Sequence, residues 1–390
     1  MDSKSVAMKQ IIFLFILFYS FWAQAQNSYF PDRNEWKTKS PSEAGFNSQR
    51  LNEAIDSIQE NEYSGSKDLR IAILKGFQRE PYHSILGPTK KRGGPAGMIL
   101  KNGYVIAQWG DTKRVDMTFS VTKSYLSTVA GLAVDRGLIR SVDDTVNEYV
   151  WDKTFDGSQN SMITWDHLLT QSSAWSGELW GSYDWHDRPP SKGDVHIWQK
   201  STSDKPGTVM EYNDVRVNVL AYSLLQVWRK PLPQVLKEEI MDPIGASTTW
   251  RWYGYENSWT NVDGVKMQSV SGGGHSGGGL FINTEDHARF GLLFMNKGNW
   301  NGQQILSEKW VSNAIQPSTP NDSYGYMWWL NKSGEENRMS NLSQEGYYAA
   351  GFGGNYIIVE PEMDLVIVLR WCEPSQANRM LGMIKEAMME

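Results

Sequence analysis

The chain reads as a mixed α/β fold, an antiparallel sheet flanked by helices with a large helical insertion. Three observations point there. An Asn102-Gly103 turn joins two apolar runs, Ala96–Leu100 and Tyr104–Trp109, which is a strong hairpin signal. A second pair of strand-like runs, Asn355–Glu360 and Leu365–Trp371, is joined at Pro361-Glu362 near the other end of the chain. Between them the apolar spacing is mostly helical, so the terminal strands are expected to share one sheet around an insertion over approximately 125–275. Hairpins in place of a βαβ alternation argue against a doubly wound sheet.

Taken in order, residues 1–25 are expected to be a signal peptide. Lys4 and Lys9 precede an apolar run from Ile11 to Trp22, and Ala23-Gln24-Ala25 supplies a small-x-small site with cleavage after Ala25. The run is short for a membrane span, and a retained anchor is the alternative. A single domain over 26–390, exported to the periplasm or secreted, then remains. The chain has one cysteine, Cys372, so no intramolecular disulfide is expected and the thiol reads as buried in a strand. Asn27–Ser42 is a polar surface arm. A helix is expected over Asn47–Gln59, with Leu51, Ala54, Ile55 and Ile58 on one face, followed by a long loop over Lys75–Pro95. The insertion carries helical patterns at Trp165–Thr170, Val195–Lys200, Val215–Val227 and Pro233–Met241, and strand character returns at Gly279–Asn283. Hydrophobic residues make up 40% of the 390, ample for a large core, and the formal charge of -6 argues against nucleic acid or an anionic membrane as main partner.

The chemistry begins at Phe119-Ser120-Val121-Thr122-Lys123. Leu126, Val129, Ala130, Ala133 and Val134 continue as one buried helical face, and Gly137 is placed to end the helix. Ser120 and Lys123 are then i, i+3 neighbours, in reach of one another. A serine hydroxyl becomes a nucleophile when something takes its proton, and lysine does so if burial or positive potential lowers its pKa. The bland alternative is a first-turn serine and a solvated lysine. Ser64-Gly65-Ser66-Lys67 has the same spacing without a following apolar stripe and reads as chance.

Downstream, Pro206-Gly207-Thr208-Val209-Met210-Glu211-Tyr212-Asn213-Asp214 precedes a helix with Val217, Leu220, Ala221, Leu224 and Leu225 on its buried face. Tyr212 sits at the helix entrance, where its hydroxyl could relay protons, or it only packs while Asn213 or Asp214 caps the helix. With Leu168-Leu169-Thr170-Gln171-Ser172-Ser173 between them, these stretches closely resemble the class C β-lactamase-like serine hydrolases, over approximately residues 40–385. That superfamily includes esterases, D-amino-acid and D-Ala peptidases and nylon-oligomer hydrolases. The resemblance implies a β-lactamase/transpeptidase-like fold, Ser120 as acylated nucleophile, Lys123 as its proton acceptor and Tyr212 as relay to the leaving group.

Two departures qualify the resemblance. Asp214 stands where the family's second motif commonly carries Asn; it would pair with Lys123 and raise that lysine's pKa, cap the helix, or do both. Where the third motif usually reads Lys-Thr-Gly or His-Thr-Gly, this chain has Ala349-Ala350-Gly351, without the cation that would grip a β-lactam or peptide carboxylate. By resemblance, the backbone N–H groups of Ser120 and Phe352 form the oxyanion hole. The tract Ser271 to Gly279 lacks the ending of a phosphate loop, and its His275 either reaches the cleft or is structural. Among the insertion's tryptophans, Trp165, Trp175, Trp180, Trp185 and Trp198, Trp180 is the candidate for a substrate wall, with core packing the alternative. No metal or cofactor is expected. The reading is an exported serine hydrolase acting on a small ester or amide. A D-Ala-type peptidase or β-lactamase is one alternative; a non-catalytic binder of cell-wall fragments on the same scaffold is the other.

Overall fold

The computed structural model describes residues 28–189, 204–332 and 339–389. The expected signal segment and the helix expected at Val195–Lys200 lie outside the described residues, as does Trp198.

Both terminal hairpins form, and they join one antiparallel sheet. Strands β1 (Ala96–Lys101) and β2 (Tyr104–Trp109) flank the Asn102-Gly103 turn. The segment leading to Ser120 then passes through a short strand, β3 (Asp116–Met117). The insertion holds two small hairpin strands, β4 (Glu178–Leu179) and β5 (Ser182–Tyr183), and a long hairpin of β6 (Arg251–Val262) and β7 (Val265–Val270). After them come β8 (Gly279–Ile282), β9 (Asn299–Trp300), β10 (Gln303–Gln304), β11 (Trp329–Leu330), β12 (Tyr347–Gly351), β13 (Asn355–Glu360) and β14 (Leu365–Arg370). The main sheet runs β11-β12-β13-β14-β1-β2, and a second runs β3-β8-β6-β7.

Two expectations are corrected here. The span expected to be a helical insertion also contains the β6–β7 hairpin around an Asp263-Gly264 turn, which is the signal the sequence offered for it. The strand expected at Gly279 does form, but it pairs with β3 and β6 in the second sheet.

The main sheet is covered on both faces, and period-2 alternation sorts its residues between them. Along β14, Leu365, Ile367 and Leu369 face a cluster containing Leu51, Ala54 and Ile58 of the helix Ser48–Glu60 and Met380, Leu381 and Ile384 of the helix Ala377–Glu386. Val366 and Val368 face the larger cluster, which includes residues of the helix Thr122–Asp135, just after Ser120, and of the helix Thr284–Met295. Strands buried on both sides read as continuous apolar runs, which made them conspicuous in the sequence. Cys372, just past β14, is fully buried and free. A helix at Leu69–Gly76, capped by Asp68, runs into the loop expected from Lys75. No described helix is long and apolar enough to cross a membrane.

The N-terminal arm closes an open edge. Lys39 N–H donates to Val105 O and Val105 N–H to Lys37 O, each at 3.0 Å, so the arm covers β2. It is pinned by the buried Arg289, whose guanidinium donates to the carbonyls of Pro31 (2.8 Å), Asp32 (2.6 Å), Glu35 (3.2 Å) and Ile244 (3.0 Å). Arg289→Met would leave the buried carbonyls of Pro31 and Ile244 without this donor and release the arm, and we expect about 2–4 kcal/mol of lost stability in urea denaturation. A loss under about 0.5 kcal/mol, within the scatter of ordinary surface substitutions, would show that the arm is held by other contacts.

Candidate active site

Ser120 is presented by a kink between two elements. Strand β3 is followed by a 3-10 turn, Phe119–Val121, and then by the helix Thr122–Asp135. Phe119 adopts φ +49°, an unusual conformation for a bulky residue, and is held there by packing on Phe352 (5.1 Å between ring centroids) and Trp371 (6.4 Å). Phe119 and Val121 are buried while Ser120 retains access. The helix behind it is buried from Thr122 through Ala133, wider than the one apolar face the sequence suggests. Three of its polar side chains are bonded, Ser124 Oγ to Met327 O (2.8 Å), Thr128 Oγ1 to Ser124 O (2.9 Å) and Tyr125 Oη to His287 Nδ1 (2.9 Å), while Ser127 Oγ is buried without a partner among the described residues.

Lys123, 1% exposed, donates from Nζ to Ser120 Oγ at 2.8 Å and to Asp214 Oδ1 at 2.5 Å. The solvated-lysine alternative is thereby excluded. At the other Ser-x-x-Lys stretch, Ser66 Oγ accepts from Asp68 N–H and Lys67 pairs with Glu62 at the surface, a turn with no buried partner. Burial works to lower the pKa of Lys123, but Asp214 and Tyr212 override it and the ammonium is held above the ordinary lysine value. For Asp214, burial likewise opposes ionisation; Lys123 and Arg188 outweigh it and keep the carboxyl well below the usual carboxylate range. Helix capping is corrected as a role for Asp214: Asn213 caps the helix Asp214–Trp228 by accepting from Arg216 N–H, and Asp214 is the first helical residue, its side chain turned to Lys123.

Asp214 anchors a larger charged cluster. Its Oδ2 accepts from Arg188 NH2 at 2.6 Å, and Asp187 accepts from Arg188 NH1 and from the Asp214 N–H. His275 lies between Glu80 and Asp214: Nε2 meets Glu80 Oε2 at 2.5 Å, while Nδ1 is 3.2 Å from Asp214 Oδ2 in a contact not aligned for a hydrogen bond. Arg188, Asp187 and Glu80 carried no signal in the sequence, because they converge from separate loops. Gly273 covers the pair. A side chain there would put Cβ 2.1 Å from Asp214 Oδ1 and 2.5 Å from Lys123 Nζ, so the glycine tract serves close approach of backbone to a buried ion pair.

Tyr212 stacks on Trp329 (5.8 Å, 21° between planes) and crosses Tyr324 edge-on at 6.3 Å. Lys123 Nζ and Arg188 Cζ stand 4.7 and 4.9 Å from its ring centre. Among the described residues its hydroxyl bonds to neither Ser120 nor Lys123. Gln171 holds its loop, accepting from Asn213 N–H through Oε1 (2.9 Å) and from Glu211 N–H through its backbone carbonyl (2.8 Å). That gives the Thr170-Gln171-Ser172-Ser173 run a structural role.

Across from Ser120 lies the end of β12. A Cβ at Gly351 would fall 2.2 Å from Thr118 O and 3.3 Å from Ser120 N, so only glycine lets this strand lie against the nucleophile turn. The backbone N–H groups of Ser120 and Phe352 have no backbone acceptor among the described residues. The cleft between these parts, about 490 Å³, is lined by Ser120, Tyr212, Asp214, His275, Gly351 and Phe352, with Phe77, Trp329 and Arg188 in its walls. Trp180 is not among its lining residues. It packs edge-on against Tyr222 (6.5 Å) and Tyr255 (6.0 Å), so its expected place in the substrate wall is corrected to the core of the insertion.

Two carboxylate–histidine groups, Glu80 with His83 and His275 and Asp187 with Asp214 and His275, bring potential ligand atoms within 4.8 Å of one another. A metal would require neutral imidazole. Here burial opposes the charged form of His275, but Asp187, Asp214 and Glu80 push its pKa up to about 9. The same acids that could serve as ligands therefore favour a protonated His275 at neutral pH. The stabilisation it gives is complete below the unfolded value of about 6.5 and is lost as pH rises through the folded value. Thermal midpoints measured from pH 6 to pH 10 should fall across that window, corresponding to up to about 3 kcal/mol, and the fall should be much flatter in His275→Gln. Equal slopes in the two proteins would show that His275 is not the titrating group.

Comparison with known proteins follows the same lines. The curated "Putative D-alanyl-D-alanine carboxypeptidase" of Escherichia coli O157:H7 is 23% identical over 378 residues, covering 85% of this chain and 84% of its own length. Among solved structures, a "putative beta-lactamase from Bacteroides dorei DSM 17855" superposes with a TM-score of 0.61 at 17% identity, covering 88% of this chain and 99% of that one. EstCE1, described as a hydrolase with promiscuous acyltransferase activity, gives a TM-score of 0.58 at 15% identity, with coverage of 88% and 99%. These likenesses establish the β-lactamase/transpeptidase-like fold. The model of the family described as Beta-lactamase matches residues 90–371, most of the chain, and the chain belongs to that family.

Proposed function

We propose that this protein is a serine hydrolase that cleaves an ester or amide through an acyl-enzyme on Ser120. The observation that carries this is the 2.8 Å contact between Lys123 Nζ and Ser120 Oγ, at the mouth of a cleft bordered by two backbone N–H groups without acceptors. In the proposed cycle Lys123 first gives up a proton to solvent; in that neutral-lysine form Ser120 Oγ attacks the carbonyl carbon and its proton passes to Lys123. The tetrahedral oxyanion rests against the N–H groups of Ser120 and Phe352. The proton is then delivered, with Tyr212 as relay, to the departing alcohol or amine, and water releases the acid. Export, on the strength of residues 1–25, belongs to the same proposal.

Substrates without a carboxylate beside the scissile bond fit best. The strand position that would supply a gripping cation carries Ala349 and Ala350. Arg188, a cation in the cleft wall, is bonded to Asp187 and Asp214. The name of the E. coli relative favours a second reading, a peptidase acting on D-Ala ends, which predicts cleavage of D-Ala-D-Ala peptides in preference to neutral esters.

Fluorophosphonate should label the protein at Ser120, mapped by mass spectrometry, and Ser120→Ala should lose both labelling and ester hydrolysis while keeping its fold. Hydrolysis persisting in folded Ser120→Ala would refute the nucleophile assignment; a folded wild type that resists labelling would favour a binding protein on this scaffold.

Because Asp214 holds Lys123 protonated at rest, kcat/KM should climb with pH through the neutral range and beyond. Asp214→Asn removes the anion and should move the rising limb to lower pH by about 1–2 units. An unmoved limb would mean that Lys123 is not the base.

A further inference from the structure

The turn that carries Phe352 is held by residues at the end of β14. Arg370, 2% exposed, donates from Nε to Asn355 Oδ1 at 2.7 Å, and the fully buried Asn355 donates from Nδ2 to Phe352 O at 2.8 Å. The same guanidinium reaches the other side of the cleft. Its NH2 bonds to the carbonyls of Met117 (3.0 Å) and Asp116 (3.3 Å) on β3, just ahead of Ser120, and its NH1 to Ile282 O (3.0 Å) on β8. The next two residues repeat the pattern: Trp371 Nε1 donates to Asp116 Oδ2 at 3.0 Å, and Cys372 N–H to Gly354 O at 3.2 Å.

The nucleophile turn and the strand-end turn belong to different sheets, so nothing in either sheet's own ladder fixes the spacing of their N–H groups. A planar guanidinium with donors pointing in several directions can tie both to one rigid reference. We propose that Arg370 and Asn355 are positioning residues that set the distance and orientation of the Phe352 N–H relative to the Ser120 N–H, and so tune stabilisation of the oxyanion. Oxyanion stabilisation is sensitive to such placement, because loss of one donor costs about 10²–10³ in rate. This inference rests on the Ser120 acyl-enzyme reading.

The informative variant is Asn355→Asp. It preserves volume and the acceptor for Arg370 but replaces the amide donor to Phe352 O with a carboxylate oxygen that repels it. With a p-nitrophenyl ester, kcat per fluorophosphonate-reactive Ser120 should fall roughly 10- to 100-fold with KM within about twofold, since the lost interaction is made in the transition state. Affinity for an aryl boronic acid should fall by a similar factor, while the thermal midpoint stays near wild type because the new carboxylate pairs with Arg370. Asn355→Ala and Arg370→Lys should show the same kinetic signature with lower stability. Unchanged kcat and boronate affinity in Asn355→Asp would overturn the inference, as would a loss of activity matched by a loss of reactive Ser120 or of folded protein. A wild type that is never labelled would defeat the acyl-enzyme reading instead.

Discussion

A buried ammonium needs an anion, and the active site is arranged around that need. Lys123 sits inside a helix that is buried on every side, where an isolated charge would be prohibitively costly. Asp214 supplies the counter-charge from a different helix, brought across by the Tyr212 loop. Burying Asp214 then creates its own requirement, met by Arg188 and His275, and His275 in turn draws in Glu80. The acid that makes the buried lysine tolerable also raises its pKa. Stability and readiness for proton transfer therefore pull in opposite directions at the same nitrogen, and Gly273 is required because nothing larger fits over the pair.

The cleft's walls follow from the same economy of charge. With its cationic groups committed to Asp214, Asp187 and Glu80, recognition falls to shape and aromatic surface. One wall is Tyr212 stacked on Trp329; the other gathers Phe352 against Phe77 (5.9 Å), Tyr63 (5.6 Å) and Phe119. In the proposed reading, aromatic faces with a few backbone donors suit a neutral acyl group and penalise a carboxylate that would lose its hydration without gaining a partner.

What the sequence made legible was whatever depends on local chemistry. The Asn102-Gly103 hairpin, the apolar strands near the C-terminus and the Ser120-to-Val134 helix are each decided by turn residues and periodicity within a few positions. The ordered motifs pointed to Ser120, Lys123 and Tyr212, and the structure brings all of them to one cleft. Arg188, Asp187 and Glu80 were invisible because a charge cluster is assembled by the fold from separate loops. Trp180 failed for a related reason: an aromatic residue looks the same in sequence whether it lines a cleft or fills a core, and only packing against Tyr222 and Tyr255 decides. Asp214 was half legible. Its neighbour Asn213 is the better cap, and the Lys123 partnership depends on an approach between helices that no spacing rule supplies.

The proposed catalytic residues are divided between two sheets. Ser120 follows β3 of one, and Phe352 follows β12 of the other. Each sheet can hold its own contribution to fractions of an ångström through its hydrogen-bonded ladder, but the distance between contributions depends on side chains packed where the sheets meet. Gly351 permits the approach by having no Cβ to strike Thr118 O, and the Arg370 guanidinium limits it by bonding to Met117 O on one side and to the Asn355 side chain on the other. The junction with β3 and β8 has apolar packing of its own, where Met117 and Phe281 meet Phe119 and Trp371; that packing holds the sheets together without direction, and the directional bonds of Arg370 are what fix their orientation across it.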